Sequence, residues 1–137
     1  MRLEFPIEFM VEGTPVSFQN PRPKARNEWK ARVKAASAEE LPVEYSPSKA
    51  RIAVTLYYFP GEPMQGDVDN IVKLVLDALC EHIYVDDYQV DRIVVQRFDP
   101  GNYFGFASPS VTLEEALKLP ESVLYVRLSD DPFEDLK

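Results

Sequence analysis

Asp67 and Asp69 lie two residues apart in "GDVDNIVKLVLDAL" (66–79), Asn70 follows at once, and Lys73 stands four residues beyond Asp69. A second acidic pair, Asp86 and Asp87, closes "HIYVDD". In extended backbone alternate side chains point the same way, so the spacing predicts that Asp67 and Asp69 face one small volume. Lys73, one helical turn past Asp69, brings an ammonium beside them. Clustered carboxylates repel, and without a cation at least one tends to hold a proton. A hard divalent metal relieves that repulsion. Mg²⁺, with Mn²⁺ as a substitute, takes carboxylate oxygens, waters and substrate phosphate, which is the equipment of phosphodiester hydrolysis. Asp67, Asp69 and Asp87 are thus the candidate metal ligands and catalytic carboxylates, and Lys73 the candidate for stabilising charge on the phosphate or positioning water. Asn70 and Asp86 are secondary candidates, while Asp77, with apolar neighbours, is given no direct role.

A plainer account makes Asp69 a helix cap paired with Lys73 and needs no metal. It leaves Asp67, Asn70 and Asp87 unexplained. An EF-hand is excluded, because that loop needs glycine and an acid where Val72 and Ala78 stand. Cys80 and His82 are too close on one helix to chelate well, and with no second cysteine a zinc site is not expected. His82 reads as the end of the helix.

The elements that must position these residues follow from periodicity. Phe5, Ile7, Phe9 and Val11 alternate with Pro6, Glu8 and Met10, a half-buried strand ended by Gly13 and Pro15. "PVSFQNPRPKARN" reads as an extended basic loop, after which Asn27 caps a helix through "EWKARVKAASAEEL" with Trp29, Val33 and Ala36 on one face. "RIAVTLYYF" (51–59) is a central strand, and the apolar positions Ile71, Val72, Val75, Leu76 and Leu79 predict a helix over about 70–82 with Asp69 as its N-cap. Strands are expected over 89–98 and 122–129, with a short helix "LEEALKL" between them, introduced by the Thr112–Glu115 capping-box pattern. The order predicts a single α/β (α+β) domain over 1–129, with helices packed on a mixed sheet of about four strands, and an acidic, frayed tail over 130–137. Strand order is not readable. A helix over 70–82 is roughly 20 Å long, whereas residues 83–87 reach back only about 15 Å. Either the helix is shorter, or a second subunit of a dimer completes the metal site.

Length and composition agree with one globular core. No apolar run suggests a membrane span and the N-terminal stretch lacks a secretory cleavage pattern, so a cytoplasmic protein is expected. The formal net charge of -8 argues against a phosphate-binding surface, but its distribution softens the objection. Arg22, Lys24, Arg26, Lys30, Arg32 and Lys34 concentrate positive charge in thirteen positions of an otherwise acidic chain. Arg22, Lys24, Arg26 and Lys30 are the candidate DNA contacts. Phe18 and Trp29 could stack on bases, although core packing or a dimer contact is the commoner role for such residues.

"GDVDNIVKLVLDAL" followed by "VDDYQV" resembles the RusA-like Holliday junction resolvases, whose pattern is D-x-D-N-x-x-K-x-x-x-D-A-L and then D-D-x-Q-V. The match falls on Asp67, Asp69, Asn70, Lys73, Asp77, Ala78 and Leu79, then on Asp86, Asp87, Gln89 and Val90, and the wider likeness covers about residues 5–98. The resemblance implies a RusA-like fold and a homodimeric, Mg²⁺-dependent endonuclease that nicks four-way DNA junctions in recombination and repair. It also implies that metal binding depends on dimerisation. By position, Asp67, Asp69 and Asp87 would be the catalytic carboxylates and Lys73 the essential lysine. Two departures stand out: the segment from Pro100 to Pro120 is longer than the family's turn into its last strand, and the charge is unusually negative. They motivate a second expectation, a non-catalytic DNA-binding or assembly module that retains the fold.

Overall fold

The computed structural model describes residues 1–137. Four strands, β1 (Ile7–Glu12), β2 (Ile52–Phe59), β3 (Val90–Arg97) and β4 (Val123–Ser129), alternate with three helices, α1 (Pro23–Ala38), α2 (Val72–Leu79) and α3 (Val111–Leu117). The sheet order is β1-β4-β2-β3: β4 runs antiparallel to both β1 and β2, while β2 and β3 are parallel. The expected α+β fold with a four-stranded mixed sheet is therefore present, and β2 is interior as its apolar sequence indicates. Parallel strands cannot be joined by a tight turn, so the chain returns from the end of β2 to the start of β3 through α2. That crossover carries every candidate acidic residue. No helix of the chain is long and apolar enough to cross a membrane.

Strand alternation divides the sheet into two faces. Ile7, Phe9, Val11, Ile52, Val54, Leu56, Leu124, Val126 and Leu128 pack with Trp29 and Val33 of α1 and with Leu74, Val75 and Leu79 of α2. Trp29 is thus a core residue, whereas Phe18 is exposed. Burying a side chain the size of Leu or Val is worth about 1.5–3 kcal/mol, so this face anchors α2. The opposite face pairs Val123 and Tyr125 with Leu113 and Ala116 of α3, alongside Met10, Tyr57, Phe59 and Phe106. The segment beyond Pro100 accordingly serves as cover: Phe104 and Phe106 join Phe98, Tyr57 and Phe59 in an aromatic cluster.

Several helix boundaries differ from expectation. The first helix begins at Pro23 rather than after Asn27, which lies inside it. Proline lacks only an N–H that the first turn does not use, and its fixed φ suits that turn, so Pro23 opens a helix instead of forbidding one. The 3₁₀ turn Val68–Ile71 leads into α2, and Asp67, not Asp69, holds the N-cap position of that turn, without a side-chain hydrogen bond. The second helix stops at Leu79. Cys80 is extended, Glu81 takes a left-handed φ of 63°, and the amides of His82 and Ile83 both return to the Leu79 carbonyl. This reversal buries Ile83 and Tyr84 completely, which continuing the helix would not do. In α3 the cap is Ser110, whose Oγ accepts from the Leu113 amide, rather than Thr112. The acidic residues 130–137 include the 3₁₀ turn Glu134–Leu136, which folds back on β4 through Arg127–Glu134 and Ser129–Glu134 contacts.

Candidate active site

The crossover presents its acids in two places. At the end nearer β2, Gly66 adopts a φ of 87°, a conformation that favours glycine, and releases the chain into Asp67. Asp67 is extended, but Asp69 already lies in the 3₁₀ turn, so the alternation expected of two extended residues does not apply. Both carboxylates are exposed, and Asn70 is half-buried between them and the helix. This segment is held from behind. Arg97, at the end of β3, donates to the Gly66 carbonyl (3.2 Å) and pairs with Asp99 (3.6 Å), whose Oδ1 accepts from the Met64 amide (3.1 Å). Nothing in the spacing of the acidic motif points to Arg97 or Asp99, which the parallel pairing of β2 and β3 delivers from the far side of the crossover.

At the other end, the 3₁₀ turn Asp87–Gln89 precedes β3. Asp86 caps it by accepting from the Tyr88 amide (3.1 Å). Gln89 is buried and makes four hydrogen bonds: its Oε1 accepts from the amides of Val85 and Asp86, and its Nε2 donates to the carbonyls of Ser48 and Ala50. Asp86-x-x-Gln89 is a capping box, the pattern sought instead at Thr112 and Glu115. Asp86 is thereby committed to structure, while Asp87 remains half-exposed and accepts from the Tyr84 hydroxyl (2.9 Å). The same hydroxyl lies 3.1 Å from the Leu76 carbonyl, tying Asp87 to the last turn of α2. Burial and the adjacent Asp87 carboxylate push the Tyr84 phenol well above its ordinary range, so it remains a donor.

Lys73 joins the helix to this second group. Its Nζ lies 2.7 Å from Asp77 Oδ1 and 3.9 Å from Asp87 Oδ2, and no ion pair links it to Asp69. The expected Asp69–Lys73 pair is therefore replaced by Lys73–Asp77, with the lysine N-terminal to its acid, the less favourable order along a helix. The hydrogen bond to Asp77, with the charges of Asp77 and Asp87 behind it, holds the Lys73 ammonium above its usual range. Asp77, given no role from sequence, is the closest partner of Lys73. Within the chain, no group of three or more His, Cys, Asp or Glu side chains is arranged to hold a metal ion. No hydrogen bond or ion pair joins the Asp67 or Asp69 side chain to Lys73, Asp77 or Asp87. The oxygen-only character of both acidic ends still suits a hard divalent cation rather than zinc or copper.

His82 is not the end of a helix but a latch. Its Nε2 contacts Ser37 Oγ of α1 (2.8 Å) and its Nδ1 contacts Tyr45 Oη (3.0 Å). Ser37 donates its own proton to the Lys34 carbonyl, which leaves the Ser37 oxygen to accept from His82 Nε2–H and Nδ1 to accept from Tyr45. Burial, helped by Lys34, lowers the His82 pKa.

The basic residues gather at the start of α1, which packs beside α2. Arg22 and Lys24 are exposed, Lys30 is half-exposed, and Arg26 is partly spent on the Asn20 carbonyl. Arg32 donates to the Glu12 carbonyl across Gly13, where a β-carbon would collide with its guanidinium. A protein-family model described as endodeoxyribonuclease RusA matches residues 12–105, a span that contains both acidic groups and the basic helix. No curated protein matches the chain.

Proposed function

The chain belongs to the RusA family of endodeoxyribonucleases, and from that premise we propose that it is a divalent-metal-dependent nuclease that nicks four-way DNA junctions as a homodimer. The observation that carries this reading is the exposed acidic crossover, with Asp67 and Asp69 before α2 and Asp87 held beside Lys73 after it. Asp67, Asp69 and Asp87 are the residues that would hold Mg²⁺ or Mn²⁺. When bound, such an ion supplies Lewis-acid stabilisation of a phosphate oxygen and lowers the pKa of bound water. Lys73 keeps its proton and offers a cation to the developing charge on phosphate, drawing away from Asp77. Tyr84 holds one Asp87 oxygen and leaves the other facing Lys73. Arg22, Lys24 and Lys30 contact backbone phosphates flanking the cut, with Arg26 bracing the loop.

The homodimer is taken from the family resemblance rather than from reach, because α2 ends at Leu79 and the chain brings Asp87 back to within 3.9 Å of Lys73. The crossover sets Asp67 and Asp69 at one end of α2 and Asp87 beside its body, and a single chain offers no three-acid group. A two-fold partner would supply the missing carboxylate in each of two sites, which suits symmetrical nicking.

The test is cleavage of a synthetic four-way junction with and without Mg²⁺, using wild type and Asp69→Asn, alongside sedimentation to read the oligomeric state. Metal-dependent nicking lost in the variant is expected. Absence of wild-type cleavage, together with junction binding indifferent to Asp67→Asn, would instead identify a DNA-binding or assembly module. Mixing Asp67→Asn with Asp87→Asn separates a site within one chain from a shared one: shared sites regain activity in the heterodimer.

A further inference from the structure

The face of the sheet turned away from α2 is only half covered. Met10, Tyr57 and Tyr125 lie under α3 and the aromatic cluster, but the adjoining rows carry polar side chains. Register sets Glu8 and Thr55 on either side of Arg127, and Arg92 opposite Ala53 on the neighbouring strand. No helix spans this area. What lies over it is the acidic tail: Glu134 pairs with Arg127 through both oxygens, and Asp135 pairs with Arg92 at 2.8 Å. Beside these pairs opens a cavity of about 320 Å³, bounded by the two arginines, Tyr57, Phe106 and the Ser108–Ser110 segment.

Arg92 and Arg127 line one cavity together with Glu8, whose carboxylate accepts from the Tyr125 hydroxyl, and the planar forks of the arginines match a carboxylate or a phosphate equally well. The tail supplies two carboxylates at that position. A terminal phosphate monoester carries nearly the same charge, close to −2 at pH 7, whereas an internal phosphodiester carries half of it. The half-buried rings of Tyr57 and Phe106 offer an adjoining aromatic wall to a base. The cavity is at the small end of the range for ligand sites, the size for one compact molecule rather than a strand. We propose that this pocket binds a single nucleoside monophosphate unit, its phosphate on Arg92 and Arg127 and its base along Tyr57 and Phe106. In the free protein, Glu134 and Asp135 occupy the phosphate position. The Arg92–Asp135 pair is the more exposed of the two, while Arg127–Glu134 is half-buried and backed by Ser129, so Asp135 is the contact a ligand displaces first.

The unit could come from a free nucleotide or from a phosphorylated strand end, and the experiment distinguishes them. Calorimetric titrations in EDTA, which silences any metal site, would compare thymidine monophosphate, thymidine, and short oligonucleotides with and without a 5′-phosphate. The proteins are wild type, Glu134→Gln/Asp135→Asn, and that pair combined with Arg127→Gln or with Arg92→Gln, each checked by thermal melting. Vacating the phosphate position should tighten binding roughly five- to tenfold, and either arginine substitution should reverse the gain. Thymidine should not bind. Binding of the free nucleotide identifies that source, and binding confined to the phosphorylated strand identifies the other. Equal affinity in wild type and the tail variant, binding that survives both arginine substitutions, or no binding of either phosphate would overturn the proposal. Because Asp67, Asp69 and Asp87 take no part, any of these failures leaves the nuclease reading untouched.

Discussion

The two acidic ends of the crossover are built differently. Around Asp87 every neighbour is tied down: Gln89 satisfies four backbone groups, Asp86 caps the turn, and a fully buried tyrosine holds the carboxylate itself. Around Asp67 and Asp69 the support is one arginine on a carbonyl and one aspartate on an amide, and the turn has no side-chain cap. One end is held by many side-chain contacts, the other by few. Under the proposed metal reading, Asp87 would set the position of the cation and Asp67 and Asp69 would complete its shell.

The largest effect expected from breaking that comparison is on activity. Asp69→Asn removes a carboxylate that no structural contact uses, so junction cleavage should fall by at least about a hundredfold while the melting temperature holds or rises. A parallel loss of stability would show that Asp69 is structural. Gln89→Leu should strike the Asp87 end hardest in stability. It strands two amides and two carbonyls, costing about 3 kcal/mol, to be read from chemical denaturation. The third effect is subtler: Tyr84→Phe keeps the buried ring but frees Asp87. Mn²⁺ affinity, measured by calorimetry, should drop about tenfold, with little change in melting. A smaller effect is expected from Arg97→Gln, which removes a support of the Asp67 end: several-fold weaker metal affinity with DNA affinity unchanged. A larger loss than for Tyr84→Phe would invert the comparison.

The smallest expected effect concerns acid. The His82 pKa is lowered from 6.5 in the fold, so the unfolded chain binds the proton more readily. Stability is therefore complete above that value and declines as pH falls below it. Melting temperatures between pH 7 and 5 should show this decline, and His82→Gln should flatten it.

Strands and their order along the chain were legible because alternation of apolar residues is a property of each segment alone. The acids, Lys73 and the basic residues were likewise visible as residue types at set spacings. What escaped depends on the third dimension. The end of α2 was hidden because Glu81 occupies the left-handed position where a glycine would have announced the stop. Lys73 turned toward Asp77 rather than Asp69, a choice between two i±4 neighbours that spacing leaves open. Arg97 and Asp99 reach the Asp67 segment only because β3 lies parallel to β2. Gln89 was the recoverable miss, since Asp86-x-x-Gln89 carries the same capping signal that was sought at Thr112.

The eight residues of α2 act as a ruler. At 1.5 Å per residue they span roughly 12 Å, and the reversal after Leu79 brings Asp87 back beside the helix, near Lys73 and the Leu76 carbonyl. Losing or gaining one residue would rotate Asp87 by about 100° relative to Asp67 and Asp69, and a whole turn would move it by about 5.4 Å. The length of that rod, together with Lys73 and Asp77 on its solvent side, sets where Asp87 falls.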